Sequence, residues 1–132
     1  MIGVDTNVLV RVFVRDNIEQ TKAALRFLSE RSVEDPAFVS SVVIAELAWV
    51  LEKTYKYSDA AIHQAVEWLF ESSNVDVEKE GLLQQAIASA KLAKADISDS
   101  VIAAIANEAG APHTVTFDRP AAKRIPGMEL LA

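Results

Sequence analysis

The sequence predicts an α/β protein, a three-layer α/β/α sandwich around a mostly parallel central sheet of five strands. Three observations lead there. Short apolar or alternating runs at Met1–Val4, Ala37–Ser40, Asn74–Val77, His113–Phe117 and Met128–Leu131 read as strands. Longer segments with helical spacing separate them, and such alternation favours parallel pairing through right-handed crossovers. Gly and Pro are sparse, which fits a packed, ordered chain. At 132 residues the chain reads as a single domain over residues 1–132. A chain of that size buries roughly two-thirds of its unfolded surface, enough for a core without staples.

Each element has a local reason. Met1–Val4 is apolar and ends at Asp5, which suggests a buried strand. Thr6 and Asn7 then open a short helix through Val8, Leu9, Val12 and Phe13. Ala24, Leu25 and Leu28 define a helical face within Asn17–Arg31, and Asp35-Pro36 breaks the chain before the second strand. Ser41–Tyr55 is a strongly apolar helix, and Ser58 caps the next one, with Ile62, Val66, Leu69 and Phe70 as its face. After the third strand, Gly81–Lys94 and Ser98–Glu108 read as helices, the second ended by Gly110 and Pro112. The fourth strand, His113–Phe117, closes at Asp118, where Arg119-Pro120 suggests a turn or helix cap, and Met128–Leu131 makes a fifth, edge strand.

Composition narrows the functions. Without cysteine there are no disulfides and no thiolate zinc sites, which fits a reducing, cytoplasmic setting. No signal-peptide pattern is expected from the first residues, because Asp5 interrupts the apolar start. The apolar run Ala37–Leu51 contains Ser40, Ser41 and Glu46, so it reads as core and not as a membrane span. A net charge of −6 is not the footprint of a broadly basic nucleic-acid-binding surface.

Four acids stand where acids are costly. Asp5 ends the first strand, Asp118 closes the fourth, Asp99 opens an apolar helix, and Glu46 lies inside Val42–Val50. Glu46 has Val42, Val43, Trp49 and Val50 at helical spacing, which places it on a buried stripe. Each acid also has a bland reading. Glu46 pairs with Arg11 or Arg15, while Asp5, Asp99 and Asp118 cap helices or complement their dipoles. In a parallel α/β sheet, however, ligands sit beyond the carboxyl ends of the strands, where Asp5 and Asp118 both fall. Two carboxylates about 4 Å apart repel by roughly 4 kcal/mol at an effective dielectric near 20. Gathering four therefore calls for a cation, and an all-oxygen donor set suits Mg²⁺ or Mn²⁺ over zinc or copper.

Four segments carry a resemblance: Val4-Asp5-Thr6-Asn7-Val8-Leu9, Ser41-Val42-Val43-Ile44-Ala45-Glu46-Leu47, Ala95 to Ala103 around Asp96 and Asp99, and Thr116-Phe117-Asp118-Arg119. In this order the chain resembles the PIN-domain nucleases, and most closely the VapC-type toxins of bacterial toxin–antitoxin pairs. The resemblance implies a metal site of Asp5, Glu46, Asp99 and Asp118, with Thr6 a supporting hydroxyl and Asp96 a supporting acid. It implies one or two Mg²⁺ or Mn²⁺ ions, hydrolysis of structured RNA by in-line displacement, a small VapB-like antitoxin as partner, and a homodimer.

Substrate or antitoxin contacts fall to two basic groups. Arg11 and Arg15 are four apart on one helix face; Arg119, Lys123 and Arg124 follow Asp118. Trp49, Tyr55, Trp68 and Phe70 are available for core or interface. A histidine-based ribonuclease is disfavoured: His63 is expected to be solvated, and His113 stands at a strand start, away from the carboxyl ends. Two rival classes are a haloacid-dehalogenase-like phosphohydrolase with Asp5 as nucleophile, for which Asn7 replaces the required second aspartate, and a non-catalytic binding module with a vestigial acidic site.

Overall fold

Every strand pairing is parallel, as the alternation of strands and helices predicts, but the strands form two sheets and not one of five. Alternation dictates the direction of pairing; it does not say which strands share a ladder. The computed structural model describes residues 1–132 and divides into two units, Met1–Glu80 and Gly81–Ala132.

The first unit holds β1 (Ile2–Gly3), α1 (Thr6–Phe13), α2 (Ile18–Ser29), β2 (Ala37–Val39), α3 (Ser41–Lys53), α4 (Asp59–Glu71) and β3 (Val75–Val77). Its sheet has the order β1-β2-β3, with Gly3 opposite Phe38 and Phe38 opposite Asp76. β1 lies at the edge of that sheet, and its two residues are exposed, not buried as the apolar start suggests. Only Val4, just past it, is buried.

α1 packs on α2 and α3, α3 on α4, and α4 against β3. Leu9, Val39, Ile44, Leu47, Leu51, Val66 and Leu69 are fully buried here. α1 ends at Phe13, as the sequence suggests, and its last three carbonyls are taken by side chains. Thr21 Oγ1 donates to Arg11 O at 2.9 Å, Arg15 Nε to Val12 O at 3.3 Å, and Tyr57 Oη to Phe13 O at 3.0 Å. Arg15 therefore lies beyond the helix, where Val14 is extended, and does not share a helical face with Arg11.

The second unit holds α5 (Glu80–Ala93, begun at the boundary), α6 (Ile97–Glu108), β4 (Thr114–Thr116), α7 (Arg119–Arg124) and β5 (Met128–Leu130). β4 and β5 pair in parallel, Val115 opposite Glu129. Ala103, Ala121, Ile125 and Met128 form a small buried cluster. α6 begins one residue before the expected Ser98, because Asp96 is its N-cap. Gly110, at φ 105°, ends α6 in a conformation that disfavours a side chain. Of the turn or helix cap expected at Asp118, the structure has the cap: a six-residue helix follows, with Pro120 in its first turn, where its missing N–H is not needed. No helix is long and apolar enough to cross a membrane.

Candidate functional site

Three polar side chains line the carboxyl edge of the three-stranded sheet. Counting two residues on from the row Gly3, Phe38, Asp76 reaches Asp5, Ser40 and Glu78, one after each strand. Each serves the start of a helix. Asp5 is the N-cap of α1, its Oδ1 accepting from Thr6 N at 2.8 Å. Ser40 is the N-cap of α3, its Oγ accepting from Val43 N at 3.2 Å. Glu78 reaches across to the same helix: its Oε1 accepts from both the N–H and the hydroxyl of Ser41, each at 2.8 Å. These two bonds hold the Glu78 carboxyl below the ordinary glutamate range.

Glu78 is the residue that sequence reasoning missed. It sits in the charged run Glu78-Lys79-Glu80, which reads as solvated surface. The available signal was positional, since it directly follows the strand Val75-Asp76-Val77 as an acid follows the first and fourth strands.

Asp5 is exposed and keeps its second carboxylate oxygen clear of the cap, while Thr6 behind it is buried. Asp5 opens onto a groove of about 560 Å³ between the β1 edge and the α1–α2 pair, shared with Asn7, Arg11 and Phe27. Arg11 is already engaged in that groove, its Nη1 pairing with Asp16 and its Nε donating to Gln20, both at 2.6 Å.

Glu46 is not on the buried stripe of α3. Ile44, Leu47, Ala48 and Leu51 face inward; Glu46 is exposed, with Val42 72% and Trp49 51% exposed beside it. α3 is apolar on both faces, so periodicity alone could not choose between them. Neither Arg11 nor Arg15 pairs with Glu46, which removes the structural ion pair proposed for it.

In the second unit, Asp96 Oδ1 accepts from Asp99 N at 2.9 Å, and Asp99 lies in the first turn of α6. Both are half-buried. Asp118 is exposed and caps α7, its Oδ1 accepting from Ala121 N at 3.0 Å while its own N–H donates to Thr116 Oγ1 at 3.0 Å. Asp118 and Asp5 thus share one local arrangement, an acid two residues beyond a parallel strand that caps the helix that follows. Arg119 and Lys123 are exposed on α7, and Arg124 Nη1 donates to Lys94 O at 3.1 Å.

His63, expected to be solvated, is buried at 6% exposure on the inner face of α4. Ile62, Ala65, Val66 and Leu69 on the same helix are buried with it, so the apolar face is wide enough to take it in. His113 lies at the start of β4 with its Nδ1 3.4 Å from Glu129, well away from Asp118 at the other end of that strand. Trp49 and Trp68 are exposed, while Tyr55 and Phe70 are half-buried.

The donor chemistry suits a hard divalent ion, because every predicted ligand is a carboxylate. Asp5 and Glu46 belong to the first unit, Asp99 and Asp118 to the second. Neither unit by itself gathers three acidic or histidine side chains at metal-holding spacing.

The family model described as PIN domain matches residues 2–126. The chain belongs to the PIN domain family, a family of nucleases that are generally metal-dependent hydrolases using divalent ions such as Mg²⁺ or Mn²⁺. No curated protein matches the chain.

Proposed function

We propose that this chain is a metal-dependent endoribonuclease acting on RNA phosphodiesters, and the toxin of a toxin–antitoxin pair. The observation that carries the reading is the family match over residues 2–126, together with acids repeated just beyond parallel strands at Asp5 and Asp118. Residues 1–132 act as one catalytic domain, in the cytoplasm.

In this reading Asp5 and Asp99 would hold the first ion, Asp118 completes the set or holds a second, and Glu46 binds metal or orients the attacking water. A divalent ion, when bound, supplies the charge that makes water nucleophilic near neutral pH and steadies the departing oxygen. The chain's own contribution is placement. Capping bonds fix one oxygen of Asp5 and of Asp118 and leave the other of each for a ligand. Thr6 anchors the start of α1 by its burial, and Asp96 fixes the backbone of Asp99. Exposed Arg119 and Lys123, beside Asp118, are suited to phosphate oxygens. Arg11 and Arg15 are less so, since both already bond within their own unit. Exposed Trp49 and Trp68 support a protein interface, with a VapB-like antitoxin or in a homodimer.

The test is Mg²⁺- and Mn²⁺-dependent cleavage of total RNA, with single-stranded and duplex DNA alongside, for the parent, Asp5→Asn and Asp99→Asn. Cleavage confined to RNA and lost in both variants is expected. Equal cutting by parent and variants would refute the site, and cleavage of DNA alone would refute the substrate.

A further inference from the structure

We propose that Glu78 is a positioning residue for the metal site, because its carboxylate fixes the first residue of α3 and thereby the place of Glu46. The proposal rests on the reading of Glu46 as part of that site.

Two donors of one residue, the N–H and Oγ of Ser41, converge on one oxygen of Glu78 at 2.8 Å each. Such a clasp defines the rotamer of both side chains. The backbone adds a third tie, since Glu78 N donates to Val39 O at 2.9 Å. The end of β3 is therefore bonded on both sides of Ser40, at the turn where β2 becomes α3. An ordinary helix cap does not explain this. Ser40 already caps α3 locally through Val43 N, and Glu78 comes from 37 residues away. The Glu78 charge also lies at the positive end of the helix dipole, which favours the ionised, doubly accepting form.

Glu46 is five residues beyond Ser41, about 7.5 Å along the axis at 1.5 Å per residue. It is exposed, so packing of its own side chain does not define its place; the pose of the helix does. Glu78 itself is two strands across the sheet from Asp5 in that row, roughly 10 Å at 4.8 Å per strand, which suits a support and not a shared ligand.

The experiment uses the full chain and Mn²⁺ alone as probe, with binding followed by loss of the free-ion electron paramagnetic resonance signal and cleavage of total RNA measured alongside. Supporting groups around metal ligands contribute about 10- to 100-fold to affinity or activity. Glu78→Ala is therefore expected to weaken Mn²⁺ binding about tenfold and to slow cleavage at saturating RNA. Glu78→Gln, which still accepts from Ser41, restores most of both, and Ser41→Ala, which keeps the N–H donor, falls between. If Glu78→Ala proves unfolded by circular dichroism, Ser41→Ala carries the comparison, and parent-like Mn²⁺ binding in Ser41→Ala overturns the proposal. Parent-like binding in a folded Glu78→Ala overturns the positioning role while leaving the nuclease reading intact. A parent that neither binds Mn²⁺ nor cuts RNA, or a Glu46→Gln variant that does both normally, overturns that reading and the positioning role with it.

Discussion

Asp5 and Asp118 repeat one device in the two units, yet the helices they cap are held very differently. α1 buries Thr6, Leu9, Val10 and Val12, and its far end is closed by three side-chain bonds. α7 is six residues long and buries Ala121 alone. Beside it, Phe117 is 73% exposed. The pose of α1 is thus set by packing, and its capping acid is spare for chemistry. α7 depends on its cap, so Asp118 carries structural and proposed functional duties together.

The sharpest way to break this contrast is to remove charge without removing the cap. Asparagine caps about as well as aspartate. Asp5→Asn should therefore leave the melting temperature nearly unchanged while reducing metal-dependent RNA cleavage by more than about 100-fold, beyond what supporting groups contribute. A variant that loses stability and retains activity would show that Asp5 is only a cap. A second contrast lies one residue apart on α3. Leu47→Ala, at a fully buried position, should cost about 2–5 kcal/mol in denaturant unfolding. Glu46→Gln, exposed, should stay within about 0.5 kcal/mol of the parent and lose cleavage. A large stability loss in Glu46→Gln would return Glu46 to a structural role.

The capping contrast itself is read by hydrogen exchange. Asp118→Ala should cost about 1 kcal/mol and speed exchange at Ala121 and Ala122, whose amides bond to the Asp118 side chain and carbonyl. Asp5→Ala should leave Leu9 and Val10, buried in the core, protected. Equal acceleration in both helices would erase the difference between the units.

These particulars also mark what the sequence made legible. Strand runs and caps placed all five strands and six of the seven helices, because local chemistry fixes them: Ser58 caps α4 as its position suggests, and Gly110 ends α6. α7 was hidden because Arg119-Pro120 reads equally as a turn. Sheet membership was hidden because pairing partners are tertiary. Side-chain burial failed for two different reasons. Glu46 faces out because α3 is apolar on both faces and periodicity cannot orient it, whereas His63 faces in because the buried face of the amphipathic α4 is wide enough to include it. Asp5 and Asp118 were legible as strand-end acids, whereas Glu78 was masked by the charged residues that follow it.

Glu78 also offers the smallest effect, and one whose sign is fixed. Its carboxyl is held below the ordinary range by the Ser41 bonds, so at acid pH the unfolded chain takes up the proton first. The clasp therefore stabilises fully above the unfolded glutamate value, near pH 4 to 5. Its contribution falls away as pH drops through the lower folded value. Glu78→Gln cannot titrate. The stability gap between parent and variant should hold constant from neutral pH to about pH 5 and then shrink on further acidification. Asp35, lowered chiefly by its 2.6 Å bond from the Met1 amino group, titrates in both proteins and cancels from the difference. Urea unfolding at several pH values resolves this, with a gap of about 1 kcal/mol at neutral pH for a charge-assisted bond at a half-exposed site. A gap that stays flat into strong acid would mean that the Glu78–Ser41 clasp does not form in solution, and α3 would then be placed by Ser40 and the core alone.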